Sequence, residues 1–199
     1  MRIVLATGNS GKLRELQGLL LPRGIEVVAL SAFTAEQAEE TGLSFIENAI
    51  LKARHAARVS GLPAIADDSG IEVDELHGAP GIYSARYAGI GASDQENLDK
   101  LLDELRDVPP ARRSARYRCA LAYMRWDLDP APIVAQASWE GRLIDAPRGS
   151  GGFGYDPIFE LVETAVRNRT AAELSPLEKN LISHRALALR ELLEKLPLP

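Results

Sequence analysis

Apolar residues 3–6, Ile-Val-Leu-Ala, form a short continuous run that stops at Thr7-Gly-Asn-Ser-Gly11, the pattern of a buried strand entering a glycine-rich turn. From Lys12 onward Leu13, Leu16, Leu19 and Leu20 recur at helical spacing until Pro22 and Gly24 interrupt them, and residues 25–30 predict a second strand. Residues 45–59 contain Ala49, Ala53, Ala56 and Ala57 and neither Pro nor Gly. They predict a helix with Ser44 as N-cap and Glu47 completing a capping box. A strand at 63–66 then runs into Asp67-Asp68-Ser69-Gly70, which reads as its end. Residues 77–92 carry four glycines and Pro80 and predict an irregular segment, a candidate rim or lid, followed by a helix at about 94–106. Two long strands at 115–126 and 132–145, rich in aromatic and β-branched residues, flank a turn at 127–131 and predict a hairpin. A short strand at 157–159 follows the glycines of 149–154, and Ser175-Pro176 opens a final helix over 177–196. The expectation is an α/β fold with a mixed sheet, in which the hairpin is a candidate for a projecting lobe.

A chain of 199 residues, 46% hydrophobic, suits a single domain over 1–199, and no internal repeat suggests otherwise. The net charge of −5 argues against a nucleic-acid surface, so any phosphate should be small and locally bound. One cysteine, Cys119, sits in an apolar stretch and reads as a buried small hydrophobe in a reducing compartment. The apolar run at the N-terminus is too short for a signal core, and no stretch approaches the ~20 apolar residues of a membrane span. A soluble, unprocessed, cytoplasmic protein is expected.

Several segments carry candidate chemistry. Thr7-Gly-Asn-Ser-Gly-Lys12 places backbone N–H groups, a helix N-terminus and a lysine where an anion can sit. It lacks the glycine spacing and the Ser or Thr after lysine of a Walker A loop, and an ordinary strand-to-helix turn explains it equally well. Asp67 and Asp68 are adjacent on a strand, so only one of them easily faces a given site. Glu39-Glu40 and Asp74-Glu75 supply further carboxylates, and a few hard oxygen ligands completed by water and phosphate suit magnesium. One cysteine and three dispersed histidines do not suit zinc. Asn48 and Lys52 share a helical face and could both reach a triphosphate, although such a pair by itself reads as a solvated polar surface. Gly149-Ser-Gly-Gly-Phe-Gly-Tyr-Asp156 lets the backbone approach a ligand while Phe153 and Tyr155 offer rings to a base; a flexible loop is the competing reading. Ser183-His184-Arg185 inside a helix would ordinarily be surface decoration.

In order along the chain, Thr7-Gly-Asn-Ser-Gly-Lys12, Glu39-Glu-Thr-Gly42, Phe45-Ile-Glu-Asn-Ala-Ile-Leu-Lys-Ala53, Ala66-Asp-Asp-Ser-Gly70, Gly78-Ala-Pro-Gly-Ile-Tyr-Ser-Ala-Arg-Tyr87, Gly151-Gly-Phe-Gly-Tyr-Asp-Pro157 and Ser183-His-Arg185 resemble the non-canonical purine nucleoside triphosphate pyrophosphatases. This family, also called inosine triphosphate pyrophosphatases or XTP/dITP diphosphatases, is most similar in its bacterial form. The resemblance implies an elongated α/β domain around a long mixed sheet, two lobes with an active-site cleft between them, and a homodimer. It implies hydrolysis of ITP, dITP and XTP to the monophosphate and pyrophosphate. Thr7, Gly8, Asn9, Ser10, Gly11 and Lys12 would hold the phosphates with Asn48 and Lys52. Asp68 would be the general base, and Glu40 with Asp68 would bind Mg2+, although Glu39 is not separable from Glu40 at this stage. Ser69 would touch the substrate, and Phe153, Gly154, Tyr155 and Asp156 with Lys179, His184 and Arg185 would form the nucleoside pocket. Residues 162–170 align to no role. Two other functions fit the same motifs, a pyrophosphatase for pyrimidine or modified canonical nucleotides and a non-catalytic nucleotide sensor; carboxylates around Asp68 disfavour the sensor unless a metal bridges them.

Overall fold

The computed structural model describes residues 1–196, so the last three residues of the domain expected over 1–199 lie outside the described residues. Its strands are β1 (Arg2–Ala6), β2 (Glu26–Ala29), β3 (Ala64–Val73), β4 (Ser114–Met124), β5 (Ile133–Leu143) and β6 (Phe159–Leu161). They form one sheet in the order β2-β1-β3-β4-β5-β6. β1 is parallel to β2 and β3 while β5 is antiparallel to β6, which makes the sheet mixed, as the sequence pattern predicts. The helices are α1 (Ser10–Leu20), α2 (Phe45–Ser60), α3 (Asp94–Glu104), α4 (Pro176–Ile182) and α5 (His184–Lys195). No helix among the described residues is long and apolar enough to cross a membrane.

The chain divides into two compact units, the first comprising Met1–Asp68, Cys119–Ala137 and the described residues from His184 onward. Here the period-2 alternation of strand side chains sorts the core into two layers. Ile3 and Leu5 of β1, Ile65 of β3 and Cys119, Leu121 and Tyr123 of β4 pack with Leu16 and Leu20 of α1 and Ala188, Leu189 and Leu192 of α5. The intervening residues, Val4, Ala6, Ala64, Ala66, Ala120, Ala122 and Met124, pack with Ala49, Ala53, Ala56 and Ala57 of α2. Alanine on both sides of this second contact lets α2 lie close to the strands. Ser44 caps α2 as expected, accepting from Glu47 N, but the Glu47 carboxylate turns to Leu43 N and the Ser44 hydroxyl rather than closing the expected box.

The second unit comprises Ser69–Arg118 and Ser138–Ser183. Its core is aromatic: the Phe159 ring lies 4.7 Å from that of Tyr117 and 5.6 Å from that of Trp139, centroid to centroid. Leu98 and Leu101 on the apolar face of α3, with Leu105 just beyond it, complete the core, and the Ser93–Glu96 capping box fixes where that helix starts. The segment at 77–92 is less irregular than its composition suggests, because Gly81–Arg86 winds into a 3-10 helix.

Three expectations change. Asp67-Asp68-Ser69-Gly70 does not end its strand; β3 runs on to Val73, its pairing overriding the poor strand propensity of Asp, Ser and Gly. The hairpin is not a lobe of its own, since its tip belongs to the first unit and its base to the second. The final helix is two helices, broken where Ser183 is extended at φ −68°, ψ 155°.

Candidate active site

The first unit gathers five charged side chains around the Asp67-Asp68 pair. Because β3 stays extended through both residues, their carboxylates leave opposite faces of the strand and acquire different surroundings. Asp67 is fully buried, with Lys12 Nζ at 2.6 Å and Arg185 Nε at 2.8 Å. Cys119 Sγ donates to the same carboxylate at 3.2 Å, and Arg185 is itself paired to Glu15. Burial alone would raise the Asp67 carboxyl, but the adjoining Arg185 and Lys12 hold it well below the usual carboxylate range. Burial likewise opposes the charge of Arg185, which Asp67 and Glu15 outweigh, so its proton is held more tightly than usual. This carboxylate is locked as an anion.

Asp68 faces α2. Lys52 Nζ donates to Asp68 Oδ1 at 2.5 Å and to Glu40 Oε1 at 3.0 Å, and Asn48 Nδ2 donates to Asp68 Oδ2 at 3.4 Å. Four residues of helix place Asn48 and Lys52 on one face, as expected. Burial pushes the Asp68 carboxyl above the usual range, with Lys52 only partly offsetting it. Two adjacent residues of one strand therefore differ in kind: Asp67 is a fixed counter-ion, whereas Asp68 is the more basic carboxylate. Glu40, not Glu39, reaches this cluster, because Gly42 N donates to Asn48 Oδ1 at 2.9 Å and pins the preceding loop to α2. A Cβ at Gly42 would meet Glu47 Cβ at 2.6 Å and Asn48 Oδ1 at 2.7 Å, so only glycine allows this approach.

At the start of α1 the Asn9 side chain caps the helix, accepting from Gly11 N at 2.8 Å and Lys12 N at 3.0 Å. Those two N–H groups, expected to face an anion, are thus already satisfied within the helix; Gly8, Asn9 and Ser10 are exposed and Thr7 is half-buried. His184 and Arg185 are not surface decoration: they open α5 and both are buried.

In the second unit the glycine loop is built around buried Asp156. Its Oδ2 receives Lys179 Nζ at 2.6 Å and Phe153 N at 2.9 Å, and its Oδ1 receives Tyr117 Oη at 3.2 Å. Lys179 Nζ also lies 4.9 Å from the centroid of the Phe153 ring, a cation–π contact. Gly152 has φ +72°, and a Cβ there would be driven into the Asp156 carboxylate. Tyr155, expected to offer its ring, is buried and donates its hydroxyl to Ser84 O at 2.8 Å; burial raises its phenol, as do Tyr87 and Asp94. Ser69 is half-buried on β3. Phe153, Gly154, Asp156 and Lys179 are thus brought together as expected.

Sequence reasoning missed Glu15, Cys119 and Tyr117. Glu15 was discoverable, since it lies one helical turn after Lys12, but the partners of the other two lie 52 and 39 residues away in the chain.

Residues 3–195 match the model of the Ham1 family. The chain is 60% identical over 195 residues to the dITP/XTP pyrophosphatase of Pectobacterium atrosepticum, covering 98% of each, and 59% identical over 196 residues to that of Thioalkalivibrio sulfidiphilus, again 98% of each. Among solved structures it is similar to a HAM1 protein from Coxiella burnetii, with TM-score 0.86, 49% identity and 96% of each chain covered.

Proposed function

The chain belongs to the Ham1 family, and from that premise we propose that it hydrolyses ITP, dITP and XTP to the nucleoside monophosphate and pyrophosphate. The observation that carries the mechanism is the inequality of two neighbouring carboxylates: Asp67 is held well below, and Asp68 above, the usual range. A carboxylate made more basic by burial is suited to take a proton from water. In this mechanism Asp68 accepts that proton as the water oxygen bonds to the α-phosphorus. The bond from phosphorus to the α,β-bridging oxygen breaks, and pyrophosphate departs with the electron pair. Lys12 and Lys52, with the exposed 7–10 segment, neutralise and orient the phosphates.

Glu40 and Asp68 converge on a single ammonium group, that of Lys52. The cluster as a whole sets Lys12, Lys52 and Arg185 against Glu15, Glu40, Asp67 and Asp68, one negative charge in excess. Such a donor set, few in number and all oxygen, fits a divalent ion, and we assign Mg2+ to Glu40 and Asp68. When bound, it would supply charge neutralisation to a polyanion that four carboxylates otherwise repel. Asn48 holds Asp68 in place against the metal-side loop through its two amide contacts.

For the nucleoside we propose Phe153 as the stacking ring, with Gly154, Asp156 and Lys179 as its polar surroundings, together with Ser69 and Tyr155. Arg185, whose guanidinium is engaged by Asp67 and Glu15, we assign to holding Asp67 rather than to reading the base. Cytoplasmic location and a homodimer complete the proposal. The test is pyrophosphate release from a panel of ITP, dITP, XTP, GTP, ATP and UTP with and without Mg2+. Hydrolysis confined to the first three, and dependent on the metal, is expected; equal turnover of all six, or none, would refute the reading.

A further inference from the structure

Among the described residues, one carboxylate engages the glycine loop from outside it. Asp94 is the first residue of α3, and its Oδ2 accepts a hydrogen bond from Gly154 N at 2.8 Å. First-turn acids commonly serve their own helix, but here that service is performed by neighbours. Ser93 Oγ accepts from Glu96 N, and Glu96 Oε2 accepts from Ser93 N at 2.7 Å and Ser93 Oγ at 2.8 Å. The complete cap leaves the Asp94 carboxylate available to reach a segment 60 residues away in the chain.

The place where it lands matters. Phe153 N is held by Asp156 and Gly154 N by Asp94, so two carboxylates on separate elements clamp successive peptide groups. A chain with left-handed glycines at 149, 152 and 154 has little rigidity of its own. Its aromatic side chain sits between these anchored groups and over Lys179. The inner anchor is buried and shared with Lys179 and Tyr117, whereas the outer one is exposed and depends on Asp94 alone among the hydrogen bonds to Gly154 N.

We propose that Asp94 is a positioning residue for nucleotide binding: it fixes the loop that presents Phe153, so that α3, which supplies no group to the chemistry, sets affinity for the nucleoside. This rests on the reading of Phe153 as the stacking ring. Preorganisation of a loop raises affinity by reducing the ordering required on binding and leaves the chemical step alone. Loss of the anchor should therefore appear in KM and not in kcat.

Two variants separate the hydrogen bond from the charge. Asp94→Ala removes the acceptor, while Asp94→Asn keeps an acceptor oxygen without the charge. With ITP and Mg2+, Asp94→Ala should raise KM on the order of tenfold with kcat within about twofold, and Asp94→Asn should stay close to wild type. Amide exchange at Gly154 in the nucleotide-free protein should quicken in Asp94→Ala only. A KM unchanged by Asp94→Ala despite faster exchange would overturn the role, as would Asp94→Asn being equally impaired. Wild-type protein that turns over no triphosphate would sink the functional reading instead, and the exchange comparison would then uphold or overturn the anchor by itself.

Discussion

Arg185→Met tests the account of the first unit most directly. The substitution keeps a long apolar stem in a site where the side chain is 2% exposed, and removes only the guanidinium that joins Asp67 to Glu15. Breaking a buried ion pair by deleting one partner costs about 3–5 kcal/mol, because the remaining charge is left in a poor solvent. The low end applies here: Lys12 stays 2.6 Å from Asp67, and the Glu15 side chain, 17% exposed, can turn to water. A loss of about 3 kcal/mol should lower the thermal midpoint by roughly 6–12 °C for a chain of this size. Urea unfolding followed by circular dichroism measures it. The pH dependence has a definite sign. A carboxyl depressed in the folded state stabilises fully above its unfolded pKa, near 4, and loses that contribution as pH falls toward the folded value, so the gap between wild type and Arg185→Met should narrow below about pH 4. A variant within about 1 kcal/mol of wild type at pH 7 would refute the idea that buried charge pairing holds this cluster together.

Asp68→Asn should reduce turnover by at least ~10²-fold with a smaller loss of stability than Arg185→Met, because Glu40 remains on Lys52; steady-state assay and calorimetry check the two halves. Lys12→Ala should lower kcat/KM for ITP and XTP by a similar factor, leaving their ratio intact, since the triphosphate is common to both; a changed ratio in a nucleotide panel would show that this lysine senses the base. Gly152→Ala should be more damaging than Gly154→Ala in both urea unfolding and KM. Gly154 has open space around its Cβ position and incurs only the left-handed backbone cost of about 1–2 kcal/mol, whereas a methyl at Gly152 also displaces Asp156.

Helical spacing located α1 and α2 and a continuous apolar run located β1, which is buried on both faces, and Ser44 and Ser175 marked helix starts through chemistry that acts over three residues. Where partners are distant, the sequence was silent. Nothing near Asp67 announces that it will meet Arg185, 118 residues on, so a locked counter-ion and a reactive carboxylate look alike as adjacent letters. The resemblance puts Arg185 in the nucleoside pocket, and the two carboxylates that engage it, Asp67 and Glu15, lie 118 and 170 residues away, where no local pattern points to them. The break at Ser183 left no mark either, since neither Pro nor Gly interrupts residues 177–195 and an extended serine needs no special residue. Asp94 was hidden for a similar reason: an acid in a first helical turn already has a local explanation.

The alternation along β3 also decides which accidents of inheritance the chain can survive. Losing Ala66 would turn every later residue of the strand to the opposite face, putting Asp68 where Asp67 meets Lys12 and Arg185, Ser69 where Asp68 meets Lys52 and Asn48, and Asp67 in the place of Ala66. One carboxylate would still sit between two cations and the composition would be almost unchanged, but the post of Asp68 would pass to a serine hydroxyl. Deletions around this dipeptide should therefore be far rarer among descendants of this gene than substitutions, and those that persist should come in pairs of residues, the smallest change that returns both acids to their own faces.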